Sequence, residues 1–282
     1  MSGKIKGRLF IVGCPRSGTT LLQSLLAAHP QIASFPESHF FESLAPANPL
    51  IRSLGIGLAS RQRARRQFKH FLSIIHQEKM EEYLPTFPIF ISQYASAFVK
   101  ILDRLTEEKG KSLWIEKTPG HLHQIPLIQQ MVEGAKFIHI IRNGSDVVAS
   151  LYEVTQNHPK IWGDGWTIEQ CIRQWKEDIE ISQIYFSKAN HTLVGYEQLV
   201  ENPHVVLMNI CEFLEVSFDE VMLQEYGTAS KGLIRKDESW KTSVGMPIRS
   251  ANQKKFYQIF DEVEREHILK EISTVDLPAI FQ

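Results

Sequence analysis

The residues most able to do chemistry stand near the start of the chain. Gly13-Cys-Pro-Arg-Ser-Gly18 is followed by Thr19 and Thr20. Bracketing glycines let the backbone fold tightly, so that consecutive N–H groups converge on one anion. An apolar run, Leu9 to Val12, leads in, and TTLLQSLLAAH over 19–29 leads out, closed by Pro30. A strand, a turn and a helix in immediate succession would aim the helix N-terminus, with its partial positive charge, at the same anion. Arg16 is the only charged side chain of the loop. Thr19 stands where a nucleotide triphosphatase carries the lysine that reaches the β- and γ-phosphates. The loop should therefore hold one compact oxyanion, not a triphosphate with its metal. An ordinary strand-to-helix turn is the bland alternative.

The elements that must position this loop follow from periodicity. Residues 8–13, 113–117, 136–141 and 192–195 read as strands, and 19–29, 122–133, 145–154 and 203–214 as helices. Strands alternating with helices predict an α/β fold: a central, mostly parallel sheet flanked by helices, as one domain over 1–282. Residues 43–110, with Arg61-Gln-Arg-Ala-Arg-Arg66 and spaced prolines, read as helices and loops layered over the sheet. The arginine run reads as a solvated helix face. The glycine-, serine- and lysine-rich stretch 227–256 reads as a loop ending in a helix from about Ala251.

Composition narrows the function classes. The chain has 282 residues, 31 Lys and Arg against 32 Asp and Glu, and 43% hydrophobic residues with 16 Phe. That suffices for a full core and gives no basic face for nucleic acid. No apolar run approaches the ~18–20 residues of a membrane span, and no secretory signal precedes the first strand. Cys14, Cys171 and Cys211 are odd in number and far apart, which argues against a disulfide framework and a cysteine zinc site. A cytoplasmic, reducing location is the simple expectation. There is no HExxH, no acidic metal cluster and no GxSxG, so metallo- and serine hydrolases find no support.

PRSGTTLLQSLLAAHP, over 15–30, resembles the 5′-phosphosulfate loop of the sulfotransferases that use 3′-phosphoadenosine 5′-phosphosulfate (PAPS). Ile140-Ile-Arg142-Asn-Gly-Ser-Asp-Val-Val-Ala-Ser150 resembles the family's 3′-phosphate motif. That spacing places Arg142 at a strand end and Ser150 about two turns into the next helix, both able to face one phosphate. Glu116-Lys-Thr-Pro119 and Tyr196-Glu-Gln-Leu-Val200 are similar to segments of the glycan, tyrosylprotein and bacterial branches. The resemblance spans 8–260 and implies a P-loop-type domain related to nucleotide kinases.

It also implies roles. Arg16, with the N–H groups of Ser17, Gly18, Thr19 and Thr20, would hold the 5′-phosphate and sulfonate oxygens. Arg142 and Ser150 would take the 3′-phosphate, Tyr196 would join the donor pocket, and Lys117 would stabilise the leaving oxygen. Glu37 follows Arg16 at the offset of the catalytic glutamate of tyrosylprotein sulfotransferases and would be the general base. His39, His121 and His123 are rivals, because small-molecule sulfotransferases use histidine. Arg235 and Lys236, before Trp240-Lys241, resemble a 3′-phosphate-binding stretch of cytosolic sulfotransferases, although Asp237 replaces its glycine. Trp240 either stacks on adenine or simply packs, and a closing donor loop over 227–256 would explain the glycines and charges.

The expected function is in-line transfer of a sulfuryl group from PAPS to an acceptor hydroxyl, leaving 3′,5′-adenosine diphosphate, without a metal. The acceptor could be a small molecule, a glycan or a peptide, contacted by the helical insertion near 40–110. A P-loop kinase or nucleotide hydrolase, and a non-catalytic adenosine-bisphosphate-binding module, are the alternatives.

Overall fold

The structure, a computed structural model, describes residues 5–45, 57–235, 238–248 and 254–277. Lys236 and Asp237 lie outside the described residues, as do 249–253, where the last helix was expected to begin.

Five strands form one parallel sheet: β1 (Gly7–Val12), β2 (Ile32–Ser34), β3 (Leu113–Lys117), β4 (Ala135–Ile141) and β5 (His191–Gly195). Their order is β2-β3-β1-β4-β5. The chain winds to one side of β1 with β2 and β3, then to the other with β4 and β5. The crevice beyond the carboxyl ends of β1 and β4 is therefore the topological switch point where such sheets bind ligands. Register sets Ile11 beside Lys117 and Val12 beside His139, so the ends of three strands meet there.

Period-2 alternation sorts β1 between two cores. Leu9 and Ile11 face α1 (Thr19–Ala27), packing with Leu22, Leu25 and Leu26. Phe10 and Val12 face the opposite layer, built with Phe68 and Phe71 of α2 (Arg61–Ile74) and Phe98 of α3 (Ile91–Glu108). The rings of Phe40 and Phe98 stack there at 4.3 Å. The arginine run lies on α2 as expected: Ala64, Phe68, Phe71 and Leu72 turn inward, while Arg61, Arg63 and Arg66 point to solvent.

The remaining helices are α4 (Ile125–Met131), α5 (Gly144–Asn157), α6 (Pro159–Trp162), α7 (Ile168–Gln183), α8 (Tyr196–Glu201), α9 (Pro203–Leu214), α10 (Val221–Gln224), α11 (Tyr226–Lys231), α12 (Lys254–Ile259) and α13 (Glu262–Ile272). The single helix expected over 122–133 is a 3₁₀ turn, Pro119–Gln124, followed by α4. Two proline-led starts in close succession break it. The stretch 227–256, expected as a loop ending in a helix, carries α11 and a 3₁₀ segment over Ser239–Gly245 before α12. Glycine there serves close approach rather than freedom: a Cβ on Gly227 would stand 3.2 Å from the Gly245 carbonyl. Tyr226 Oη donates to the Met246 carbonyl at 2.9 Å, fastening the two pieces. All three cysteines are buried free thiols. Among the described residues, no helix is long and apolar enough to cross a membrane.

Candidate active site

The loop between β1 and α1 folds as its glycines require. Gly13 has φ +144°, and a Cβ there would lie 2.5 Å from the Ile140 carbonyl of β4. Gly18 has φ +93°, and a Cβ there would enter the Tyr196 ring. Arg16 also adopts a positive φ, 75°, which costs a non-glycine residue about 1–2 kcal/mol. Gly18 is the N-cap of α1 without a side-chain cap, so the first turn of the helix is not closed off by its own chain. Ser17 is buried, and its hydroxyl has no hydrogen-bond partner among the described residues.

Around this loop the described residues line a cavity of about 660 Å³. Arg16, Thr19, Thr20, Arg142, Ser150 and Tyr196 all face it, as do Glu37, Arg235 and Trp240. Arg16 Nε donates to Ser150 Oγ at 3.1 Å. Arg142 Nη1 donates to the Arg16 carbonyl at 3.3 Å, and its guanidinium lies 4.2 Å over the Tyr196 ring. The expected Arg142–Ser150 cluster thus forms with Arg16 between its members. Arg142 Nε is buried without a partner among the described residues. Burial, then the neighbouring Arg142 charge, lowers the pKa of Arg16. Two crowded guanidiniums, one with an orphaned buried donor, fit an anionic ligand bearing several phosphate-like oxygens, whereas Ser17 lies outside the lining residues.

A second charged group borders the cavity through Glu37, His39 and Lys241, with Lys117 behind the lining residues. Lys117, the last residue of β3, is buried and donates to Thr20 Oγ1 at 3.2 Å and to Glu37 Oε1. Lys241, from the 3₁₀ segment, donates to the same Glu37 oxygen at 2.7 Å. His39 Nε2 lies 3.3 Å from Glu37 Oε2, and His39 Nδ1 lies 3.2 Å from Glu42. Burial alone would raise the Glu37 carboxyl, but Lys117, His39 and Lys241 hold it well below the usual carboxylate range. Burial pushes Lys117 down to about 8 despite Glu37. Burial opposes the His39 cation too, yet Glu37 and Glu42 raise it to about 10.

Strand alternation explains why adjacent Glu116 and Lys117 do different work. Lys117 turns toward α1 and Glu37; Glu116 turns the other way into a closed network. Glu116 Oε1 accepts from Ser38 Oγ at 2.6 Å and Thr118 Oγ1 at 2.7 Å. His121 Nδ1 lies 2.7 Å from Glu116 Oε2, and His121 Nε2 accepts the Phe41 N–H at 3.2 Å. With both ring nitrogens engaged and the ring wholly buried, His121 braces the loop that carries Glu37. His123 pairs instead with Asp178 at 2.8 Å, outside the residues that line the cavity. Of the rival histidines, His39 alone faces the cavity.

Trp240 lines the cavity with its ring 4.8 Å from His158 and 6.3 Å from Trp162. Sequence reading gave no role to Lys241, Glu238 or Glu42. Lys241 lies 204 positions from Glu37, and no local pattern links them. A lysine following a tryptophan was the only available signal.

The sulfotransferase family profile matches residues 8–220. The protein-tyrosine sulfotransferase of Drosophila melanogaster is 26% identical over 220 residues, which is 76% of this chain and 39% of that protein. The chain thus spans well under half of that relative's length. The sulfotransferase domain of the Synechococcus olefin synthase superposes with a TM-score of 0.63 at 23% identity, over 98% of this chain and 97% of that one. Mouse sulfotransferase SULT7A1, solved with PAP, superposes with a TM-score of 0.56 at 13% identity, over 96% and 85%. A parallel sheet with an anion loop at its switch point, and a profile match over most of the length, lead to one conclusion: this chain belongs to the sulfotransferase family.

Proposed function

We propose that the chain transfers a sulfuryl group from PAPS to an acceptor hydroxyl and releases 3′,5′-adenosine diphosphate. The observation that carries this reading is one cavity lined by two arginines and by Glu37, with buried Lys117 paired to Glu37 behind the lining. The donor supplies an activated sulfur whose bond to a phosphate oxygen breaks as the acceptor oxygen attaches. Arg142, Ser150 and Arg235 hold the ribose phosphate, and the Tyr196 ring stacks against Arg142. Arg16 and the N–H groups of residues 18–20 hold the oxygens nearest the reaction, the Ser17 N–H being engaged by the Cys14 carbonyl. Lys117 faces the charge that develops on the leaving oxygen, where a fixed cation in a dry site is most effective. Glu37, ionised and beside Lys117, accepts the acceptor's proton. Positioning and electrostatics supply most of the acceleration, as in phosphoryl transfer.

Mouse SULT7A1 was solved with PAP, which supports the same nucleotide here. Thr19 in place of the triphosphatase lysine disfavours the kinase reading. His39 and Glu42 line the cavity at the entrance to the 40–110 insertion, which supports an acceptor side built by that segment within one catalytic domain. The protein-tyrosine name of the Drosophila relative puts peptide hydroxyls among the acceptors to test, with glycans and small alcohols. Three free thiols support a cytoplasmic location. A labelled-sulfate transfer screen across these acceptor classes, with Arg16→Ala as the blank, is the direct test. Magnesium-dependent ATP turnover without any sulfate transfer would overturn the reading.

A further inference from the structure

The C-terminal segment carries two charges with no part in the proposed transfer, Glu238 and Lys241, and they join Arg235 to Glu37. Arg235 Nη2 lies 3.7 Å from Glu238 Oε1. Lys241 Nζ bonds that same Glu238 oxygen and also, at 2.7 Å, Glu37 Oε1. Glu37 Oε1 in turn accepts from Lys117. Arg235, Glu238, Lys241, Glu37 and Lys117 therefore alternate in sign along one chain of contacts, from a cavity-lining arginine to the proton-accepting pair. The interior links are well shielded: side-chain exposure is 4% for Glu238, 10% for Lys241 and 1% for Lys117. Shielding keeps such contacts strong and makes each partner sensitive to the loss of the next.

Glu37 is also over-held. One of its oxygens carries both lysines and the other carries His39. Arg16 and Glu37 also feel each other's charge across the loop, while Glu42 draws on His39 and Glu238 on Lys241. A carboxylate so engaged is a poor proton acceptor until a cation leaves. Lys117 is fixed at the end of a central strand and His39 is shared with the neighbouring Glu42. Lys241 is the cation that a second buried carboxylate, Glu238, already holds, so it can let go of Glu37 without losing its partner.

We propose that Glu238 and Lys241 are positioning residues that couple anion binding at Arg235 to the release of Glu37 for proton acceptance. When a ligand phosphate engages Arg235, Glu238 loses part of its cation and draws Lys241 toward itself. Glu37 is left with Lys117 and His39 and becomes the stronger base. The base is thereby switched on by the bound donor, which guards against proton transfer in its absence. This rests on the reading that the cavity takes an adenosine bisphosphate.

Coupling is reciprocal, so neutralising Glu37 must strengthen anion binding, and must do so through Lys241. The probe is 3′,5′-adenosine diphosphate, titrated calorimetrically into the full chain and its variants. Glu37→Gln should tighten binding more in the wild-type background than in Lys241→Gln, by about fivefold or more, the lower end of measured couplings. Glu238→Gln, which cuts the line at a second point, should erase the same difference, and Lys241→Arg should restore it. A merely structural Lys241 would lower affinity or melting temperature without changing that ratio. Equal tightening in both backgrounds would mean a simple field effect and would overturn the relay alone. Absence of bisphosphate binding in the wild type would overturn the relay and the donor reading together.

Discussion

Removing the Glu37 carboxylate should disable two groups at once. Lys117 is 1% exposed, and burial already pushes it down to about 8 with Glu37 as its main support. Loss of an opposite charge at hydrogen-bond range lowers an amine by about a further 1–3 pH units. In Glu37→Ala, Lys117 should then be largely neutral at pH 7. The variant loses its base, at about 10²–10⁴-fold, and its transition-state cation, at about 10²–10³-fold. Groups that act as a unit do not add, so the expected loss of turnover is about 10³-fold, close to 4 kcal/mol. Adding Lys117→Met should cost little more. Initial rates of sulfate transfer measure this, with 3′,5′-adenosine diphosphate calorimetry to show that the pocket survives.

A second readout checks the cause. A lysine held below its unfolded pKa makes the unfolded chain bind the extra proton, so stability is present at high pH and declines as pH falls through the window between the two values. The Glu37→Ala melting temperature should therefore climb more steeply than wild type between about pH 6 and 9. Turnover within tenfold of wild type, or parallel melting curves, would refute the reasoning.

Arg16→Ala and Arg142→Ala should each weaken 3′,5′-adenosine diphosphate binding by about 10- to 100-fold, the usual range for one charge-assisted contact at about 1.5–3 kcal/mol; calorimetric constants within threefold of wild type would exclude these side chains from the anion site. Acid stability should report the buried His139–His191 pair, whose ring nitrogens lie 2.9 Å apart. Burial pushes His139 down to about 3 and His191 to about 4, so the unfolded chain takes up protons first as pH falls below its histidine value near 6.5. Each should cost about 2 kcal/mol between pH 7 and 5, and His139→Gln should remove much of that slope in denaturant melts. An unchanged slope would show that other groups carry it.

The chain's own order of residues determined much. Short apolar runs closed by glycine or charge marked β1, β3, β4 and β5, because buried parallel strands need continuous hydrophobic side chains. The anion loop was legible for a similar reason: its glycines and arginine act through the backbone that directly joins them, so their meaning survives in sequence. Glu37, Lys117, Arg142, Ser150 and Tyr196 were named from motifs and all stand around one cavity or against it. β2 and α7 escaped notice. β2 is only Ile32–Ser34, too short to show a period, and its pairing with β3 comes from a partner about 80 positions away.

Tertiary structure alone decided which oxygens and nitrogens meet. Motifs put Arg142 and Ser150 on one phosphate, whereas folding sets Arg16 between them. Three histidines were equal candidates in sequence, and folding separated them by pairing His121 with Glu116 in the core and His123 with Asp178. Lys241 and Glu37 meet across 204 positions, because the C-terminal segment folds back over the mouth of the sheet. A short-range pattern encodes backbone geometry, which is local. The charge that a side chain feels is set by whatever the rest of the chain packs against it, and that is written only in three dimensions.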